Sequence, residues 1–369
     1  MAEQNRVESG IFAGMAVEKA APVGFNVSHE TLRLIAEIDE FKGRWEALKA
    51  LSPERLLALR HVATIESIGS STRIEGARLT DQQIETLLSN LRRDAFTSRD
   101  DQEVAGYAEA MDLLFQSWQE LTLTENHLKQ LHAVMLKYSA KDDHHRGHYK
   151  RTPNHVVAYD QDGKEIGVIF ETASPFETPM EMQQLVEWTN KATTERLLHP
   201  LLVIAVFVVR FLAIHPFQDG NGRLSRILTT LLLLRGGYNY VPYASLERVI
   251  EENKDHYYAA LRKTQGTFKQ AKPNWEAWII FFLRSLKKQR DNLSDKLQRE
   301  QILAPALPPL AVTILKLLRE HERLTISDLE RLTGTNKNTL KVRLRELTKS
   351  QHIAKHGQAR ATWYALKAG

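Results

Sequence analysis

His215-Pro216-Phe217-Gln218-Asp219-Gly220-Asn221-Gly222-Arg223-Leu224-Ser225-Arg226 follows the apolar run Leu201 to Ile214 and opens into a second, Leu224 to Leu234. The first run is apolar almost all round, as expected of a helix buried in the middle of a bundle. Between the runs, two glycines and an asparagine make a tight turn at the start of the second helix. Such a turn points backbone N–H groups outward at a helix N-terminus, where the local field favours phosphate. Arg223 and Arg226, three residues apart, can both reach phosphate oxygens. Asp219 is an oxygen ligand suited to Mg²⁺, which takes few protein groups and completes its shell with substrate phosphates. His215, with an ordinary pKa of about 6.5, is the nearby side chain suited to take a proton at neutral pH. A base, a metal ligand, an anion nest and two cations are together the parts for phosphoryl or nucleotidyl transfer.

Outward from this stretch the pattern is mostly helical. From Ser28 to Leu136 apolar residues recur at helical spacing, as in Leu32, Leu34, Ile35 and Ile38, or Leu113, Leu114, Trp118 and Leu121. Between Gly147 and Pro175 the pattern becomes β-leaning, with Val156 to Tyr159 and Ile166 to Phe170 flanking Asp160-Gln161-Asp162-Gly163, which predicts a hairpin. Helical periodicity returns from Met180 to Leu286. A charged amphipathic stretch, Lys287 to Glu300, then leads to the proline-containing segment Ala304 to Pro309, read as a linker. The last 60 residues predict a winged helix-turn-helix: helices at Leu310 to Arg319, around Ile326, Leu329 and Leu332, and at Lys337 to Lys349, with Thr333-Gly334-Thr335 as the turn. Two short strands from Ile353 to Leu366 follow around His356-Gly357-Gln358, with Arg360 at the tip.

At 369 residues the chain is long enough for about two domains. It has no cysteine, which removes disulfides, thiolate nucleophiles, Fe–S clusters and Cys-based zinc sites. The formal net charge is +5, but residues 305–369 hold 12 Lys+Arg against 5 Asp+Glu, so the rest of the chain is slightly acidic. That asymmetry points to a second domain with its own partner. Met1 to Gly10 lacks a signal-peptide pattern, and the longest apolar run is far below the roughly 20 residues that span a bilayer. The expectation is a cytoplasmic protein without a membrane partner.

The motif resembles that of the Fic family, His-x-Phe-x-(Asp/Glu)-Gly-Asn-Gly-Arg-x-x-Arg, and matches it at every fixed position; the resemblance runs from about Ser67 to Ser285. It implies an all-α fold, a Fic helical core with a small β-hairpin flap, here followed by the winged helix-turn-helix. The divisions read from it are an N-terminal helical region at 1–110, the core at 111–286, a helical linker at 287–309 and the last domain at 310–369. The resemblance also implies AMPylation, the transfer of AMP from ATP to a Ser, Thr or Tyr hydroxyl of a target protein. His215 would then deprotonate the hydroxyl and Asp219 would hold Mg²⁺. Gly220, Asn221 and Gly222 would cradle the α- and β-phosphates, with Arg223 on the β-phosphate and Arg226 on the γ-phosphate.

Ser71-Thr72-Arg73-Ile74-Glu75-Gly76 is similar to the family's inhibitory motif, (Ser/Thr)-x-x-x-Glu-(Gly/Asn), on a helix ahead of the core. In that class the Glu pairs with the second motif arginine, here Arg226, because a carboxylate and a γ-phosphate compete for one guanidinium. The segment from Gly147 to Pro175 stands where the family has its flap, which clamps the target by main-chain pairing. Asp255-His256-Tyr257-Tyr258 resembles a stretch whose tyrosines line the adenine pocket, with plain core packing of Tyr257 and Tyr258 as the rival; Gln265 stands where relatives often have Asn. The cluster Asp142-Asp143-His144-His145-Arg146-Gly147-His148 lacks a helical i, i+4 histidine pair and reads as a solvated polar loop at the flap's entry rather than a metal site.

Lys337, Lys341, Arg343 and Arg345, with Arg360 in the wing, would suit DNA phosphates, although winged helices also bind proteins. The main reading is thus an autoinhibited protein AMP-transferase using ATP and Mg²⁺, with self-modification and a homodimer both compatible with the family. The alternatives are removal of AMP or transfer of another phosphate-containing group on the same scaffold, and a DNA-binding regulator whose Fic domain senses nucleotide.

Overall fold

The computed structural model describes residues 27–47, 53–89, 96, 98–154, 156–159, 165–303, 308–321, 323–350, 352–357 and 362–367. Its contacts divide into two compact units, the break falling between Leu293 and Ser294. In the first unit, α1 (His29–Ala47) buries Leu34, Ile38, Phe41 and Trp45, a stripe at i, i+4, i+7 and i+11. Leu32, expected on that face, is 58% exposed, since its spacing from Leu34 places it round the helix. α2 (Pro53–Ile74), α3 (Asp81–Ser89), α4 (Arg99–Ser117) and α5 (Glu125–Met135) follow, so the N-terminal stretch is helical as expected. Ser98 caps α4 in a capping box with Asp101, and Thr124 caps α5, which fixes where each begins.

The β-leaning segment forms an antiparallel hairpin, β1 (Val156–Tyr159) with β2 (Glu165–Phe170), paired from Val156 opposite Phe170 to Tyr159 opposite Glu165. The expected Asp-Gly turn between them lies outside the described residues. Then come α6 (Thr178–Thr194), α7 (Pro200–Ile214), α8 (Asn221–Arg235), α9 (Leu246–Glu252), α10 (Lys254–Gln265) and α11 (Glu276–Leu303). α7 packs against α6, α8 and α10 and buries its apolar residues on every side. It therefore serves as the post from which the motif loop hangs. α11 is continuous through Leu286 and Lys287, where the linker was expected to start.

The second unit contains α12 (Pro309–His321), β3 (Leu324–Thr325), α13 (Ile326–Thr333), α14 (Lys337–Lys349), β4 (Ile353–His356) and β5 (Trp363–Leu366). The strands form an antiparallel sheet in the order β3-β5-β4. Ala311, Ile314, Leu318, Leu329, Leu340, Leu344, Leu347 and Ile353 make its core. Ile326, Leu329 and Leu332, read as marking a helix, all lie on α13, though Leu332 is 43% exposed; the two-residue β3 has no periodicity by which sequence could reveal it. On α14, Lys341 and Arg345 are exposed, while Lys337 and Arg343 pair with Glu330 and Glu346 at 3.3 and 2.6 Å. Arg360 lies outside the described residues. Among the described residues no helix is long and apolar enough to cross a membrane.

Candidate active site

α7 ends at His215, which takes the left-handed conformation (φ 54°, ψ 59°) while its N–H still closes onto the Phe211 carbonyl at 2.9 Å. A β-carbon is uncommon there, so the chain leaves the helix at a side chain rather than at a glycine. His215 Nδ1 donates to the Leu212 carbonyl at 3.2 Å, which places the lone pair on Nε2. Burial, with the Lys150 ammonium assisting, pulls this imidazole down to about 4. His215 is thus a neutral base throughout the physiological range, not one half-protonated near 6.5 as its type alone implies.

The loop closes on itself through Asn221, whose Oδ1 accepts from Phe217 N–H at 2.9 Å and whose Nδ2 donates to the Phe217 carbonyl at 2.7 Å. Gly220 is required by its backbone, which takes φ 79°, a left-handed conformation that side chains rarely adopt. α8 starts immediately after it, and Arg223 and Arg226 emerge from the first two turns, both nearly fully buried.

Arg226 is held from α2. Its Nε donates to Ser71 Oγ, and its Nη2 to the Ser71 carbonyl and to Glu75 Oε1, each at 2.8 Å. Glu75 stands one residue beyond α2, where Gly76 (φ 107°) turns the chain, and its carboxylate lies against Gly222 so closely that a β-carbon there would meet Oε1 at 2.2 Å. Burial pushes the Glu75 carboxyl up, but the Arg226 guanidinium, aided by Arg223, outweighs it and holds the group below the usual range. Among the described residues, Arg226 Nη1 is buried without a hydrogen-bond partner.

Arg223 faces the other side, 3.0 Å from Glu103 of α4 and 3.4 Å from Asp219 Oδ1. The Arg223–Glu103 contact is an ion pair without hydrogen-bond alignment. Asp219 also accepts the Gly220 N–H at 2.5 Å and lies 3.7 Å from Arg99. Burial pushes Asp219 up, yet Arg223, the Gly220 N–H and Arg99 together hold it low and ionised. An ionised carboxylate beside an anion nest is the donor set Mg²⁺ uses, since that ion is bound by one or two carboxylates plus substrate phosphates. The residues present therefore fit the metal.

The tyrosine pair divides. Tyr257 is buried in an aromatic cluster with Tyr258, Trp278 and Phe281, ring centroids 5.1 to 5.9 Å apart, and lies close enough to Arg226 to feel its charge. Burial pushes its hydroxyl up to about 12. Tyr258 is only partly buried. Gln265 is buried with its amide turned to the Val209 carbonyl at 3.4 Å. The histidine-rich cluster is not a solvated loop at its start: Asp142 is buried, accepts from Ser139 Oγ at 2.6 Å and pairs with His145 at 3.0 Å. Among the described residues no group of three or more His, Cys, Asp and Glu is placed to hold a metal ion.

Several site residues carried no local signal. Lys150 donates to the Ile214 carbonyl, Thr172 and Asn154, and Asn154 Nδ2 donates to the Phe217 carbonyl at 2.6 Å, so both ends of the hairpin are tied to the motif loop. Glu103 and Arg99 of α4, and His132 of α5, belong to the same neighbourhood although each reads alone as an ordinary helix residue.

Residues 122–233 match the family model described as Fic/DOC family, so the chain carries a Fic/DOC domain. It is 27% identical over 237 residues to the protein adenylyltransferase Fic of Drosophila grimshawi, covering 62% of this chain and 46% of that protein. The chain thus spans about half the length of that relative. A Fic family protein of Desulfovibrio desulfuricans shares the fold over 94% of this chain and 98% of its own, with a TM-score of 0.62 and 22% identity. A Fic domain containing signaling protein of Bacteroides thetaiotaomicron aligns over 70% and 97%, with a TM-score of 0.56 and 25% identity.

Proposed function

We propose that the chain is a protein AMP-transferase held off by its own Glu75. The observation that carries this reading is the Glu75–Arg226 ion pair at 2.8 Å, made between the end of α2 and α8 beside the loop that presents His215. A target hydroxyl would give its proton to His215 Nε2 as its oxygen attacks the α-phosphorus of ATP. The bond from that phosphorus to the bridging oxygen then breaks and pyrophosphate leaves, so AMP ends on the target. Gly220, Asn221 and Gly222 would cradle the α- and β-phosphates at the start of α8, with Arg223 on the β-phosphate. When bound, Mg²⁺ would neutralise phosphate charge, held from the protein side by Asp219.

Glu75 opposes this because its carboxylate occupies Arg226 and lies on Gly222, where the γ-phosphate would settle. The test is label transfer from α-³²P ATP with Mg²⁺ and cell lysate, comparing wild type, Glu75→Gly and His215→Ala. Labelling that rises at least tenfold in Glu75→Gly and vanishes in His215→Ala is expected. No gain in Glu75→Gly despite intact ATP binding would sink the autoinhibited reading and favour AMP removal, in which Glu75 helps activate water.

For the second unit, the helix pair α13–α14 joined at Gly334 and the three-stranded sheet support a winged helix-turn-helix reading, and exposed Lys341 and Arg345 support DNA phosphate contact. Its check is a salt titration of binding to duplex DNA. Lys341→Ala should reduce the salt slope by about one, and an unchanged slope would argue for a protein partner.

A further inference from the structure

We propose that His132 is a positioning residue for this site, a two-armed strut that joins the Asp219 loop to the root of the hairpin and thereby aims the Asp219 carboxylate. This rests on the reading of Asp219 as the metal ligand. His132 lies in the last turn of α5 and is fully buried. Its Nε2–H donates to the Asp219 carbonyl at 3.0 Å, and its Nδ1 accepts the Gly147 N–H at 2.9 Å. A carbonyl can only accept and an amide N–H can only donate, so the two partners together select one neutral tautomer. The ring also stacks on Phe217 of the motif, with centroids 3.9 Å apart and planes 13° from parallel.

The consequence follows from the peptide plane. The Asp219 carbonyl and the Gly220 N–H belong to one rigid amide. His132 holds the oxygen end of that amide, and the hydrogen end donates to Asp219 Oδ1 at 2.5 Å. Orienting the carbonyl therefore orients the carboxylate. The other arm reaches Gly147, three residues before Lys150, whose N–H donates to the Pro216 carbonyl at 2.8 Å; Tyr149 forms a β-bridge with Phe217. Residues 147–150 and 216–219 thus run together with His132 as the buried pin between them.

The arms can be cut separately, because an Asn side chain reaches about as far as Nδ1 and a Gln side chain about as far as Nε2. In the full chain, His132→Asn keeps the Gly147 acceptor and loses the Asp219 arm, while His132→Gln does the reverse. Amide hydrogen exchange read by segment should rise at 217–221 in His132→Asn and at 147–150 in His132→Gln, with the other segment unchanged in each. On the Glu75→Gly background, His132→Asn should weaken Mg·ATP binding about tenfold yet leave metal-free ATP binding within about twofold, because the arm acts on the metal-ligand carboxylate.

A side chain that merely packs would loosen both segments together and weaken both forms of ATP alike; either result, or no change in exchange, overturns the proposal. If His132→Asn does not fold, His132→Gln decides alone. Exchange raised at 147–150, with 217–221 and Mg·ATP affinity intact, supports the strut, and any other pattern removes it. Absence of AMP transfer in Glu75→Gly would overturn the proposed reaction while leaving the exchange result standing.

Discussion

Arg226 is 4% exposed, and among the described residues one of its guanidinium nitrogens has no hydrogen-bond partner while the others are held by Ser71 and Glu75. Removing Glu75 uncovers the guanidinium charge inside the protein. Glu75→Gly should therefore cost about 1–3 kcal/mol of stability while raising activity, and Mg·ATP should restore the loss by supplying phosphate to Arg226. Thermal unfolding with and without nucleotide reads this; a variant equally stable without ligand would show the pair to be ornamental. Two imidazoles make a second prediction at this scale. Burial holds His215 and His132 at about 4 in the folded chain, below the ordinary value of about 6.5. Between those values the unfolded chain binds protons that the native one refuses, so stability falls as pH drops from about 6.5 towards 4. Their ring resonances should not titrate between pH 7.5 and 5.5 in an NMR titration.

The helices α4 and α5 approach so closely that a β-carbon on Gly106 would meet the Met135 carbonyl at 1.9 Å. Main chain sits against main chain there, so no side chain can give way. Gly106→Ala should force the pair apart and destabilise the first unit by about 1–3 kcal/mol, measured by denaturant midpoint. The displacement should also reach the site, since α4 carries Glu103 and Arg99 and α5 carries His132. The α7–loop–α8 hairpin was legible at this scale from its apolar runs and punctuating glycines. The α2 contribution was legible only as a short pattern, and nothing in it showed that Ser71 would give Arg226 two of its three hydrogen bonds.

Across the whole molecule, each unit has its own apolar core, and that of the second is built on Ile314, Leu329, Leu340 and Leu344. Leu344→Ala should cost the second unit about 2–5 kcal/mol and leave the first unit's unfolding transition in place, as seen by calorimetry; a shift of both would show that they unfold together. Sequence by itself determined the helical bundle, the hairpin, the charge asymmetry of the last residues and the parts list of the motif, because periodicity, turn residues and a contiguous constellation are all local properties. It could not determine the pKa of His215, the Glu103 and Asp219 flanks of Arg223, the Lys150–Asn154 tie to the hairpin or the His132 strut. Most of these arise where segments far apart in the chain meet in a water-poor interior, as Lys150 does with Ile214, 64 residues away, and His132 with Asp219, 87 residues away. There desolvation and the direction of single hydrogen bonds decide charge state and aim, and neither exists until the tertiary structure has brought the partners together.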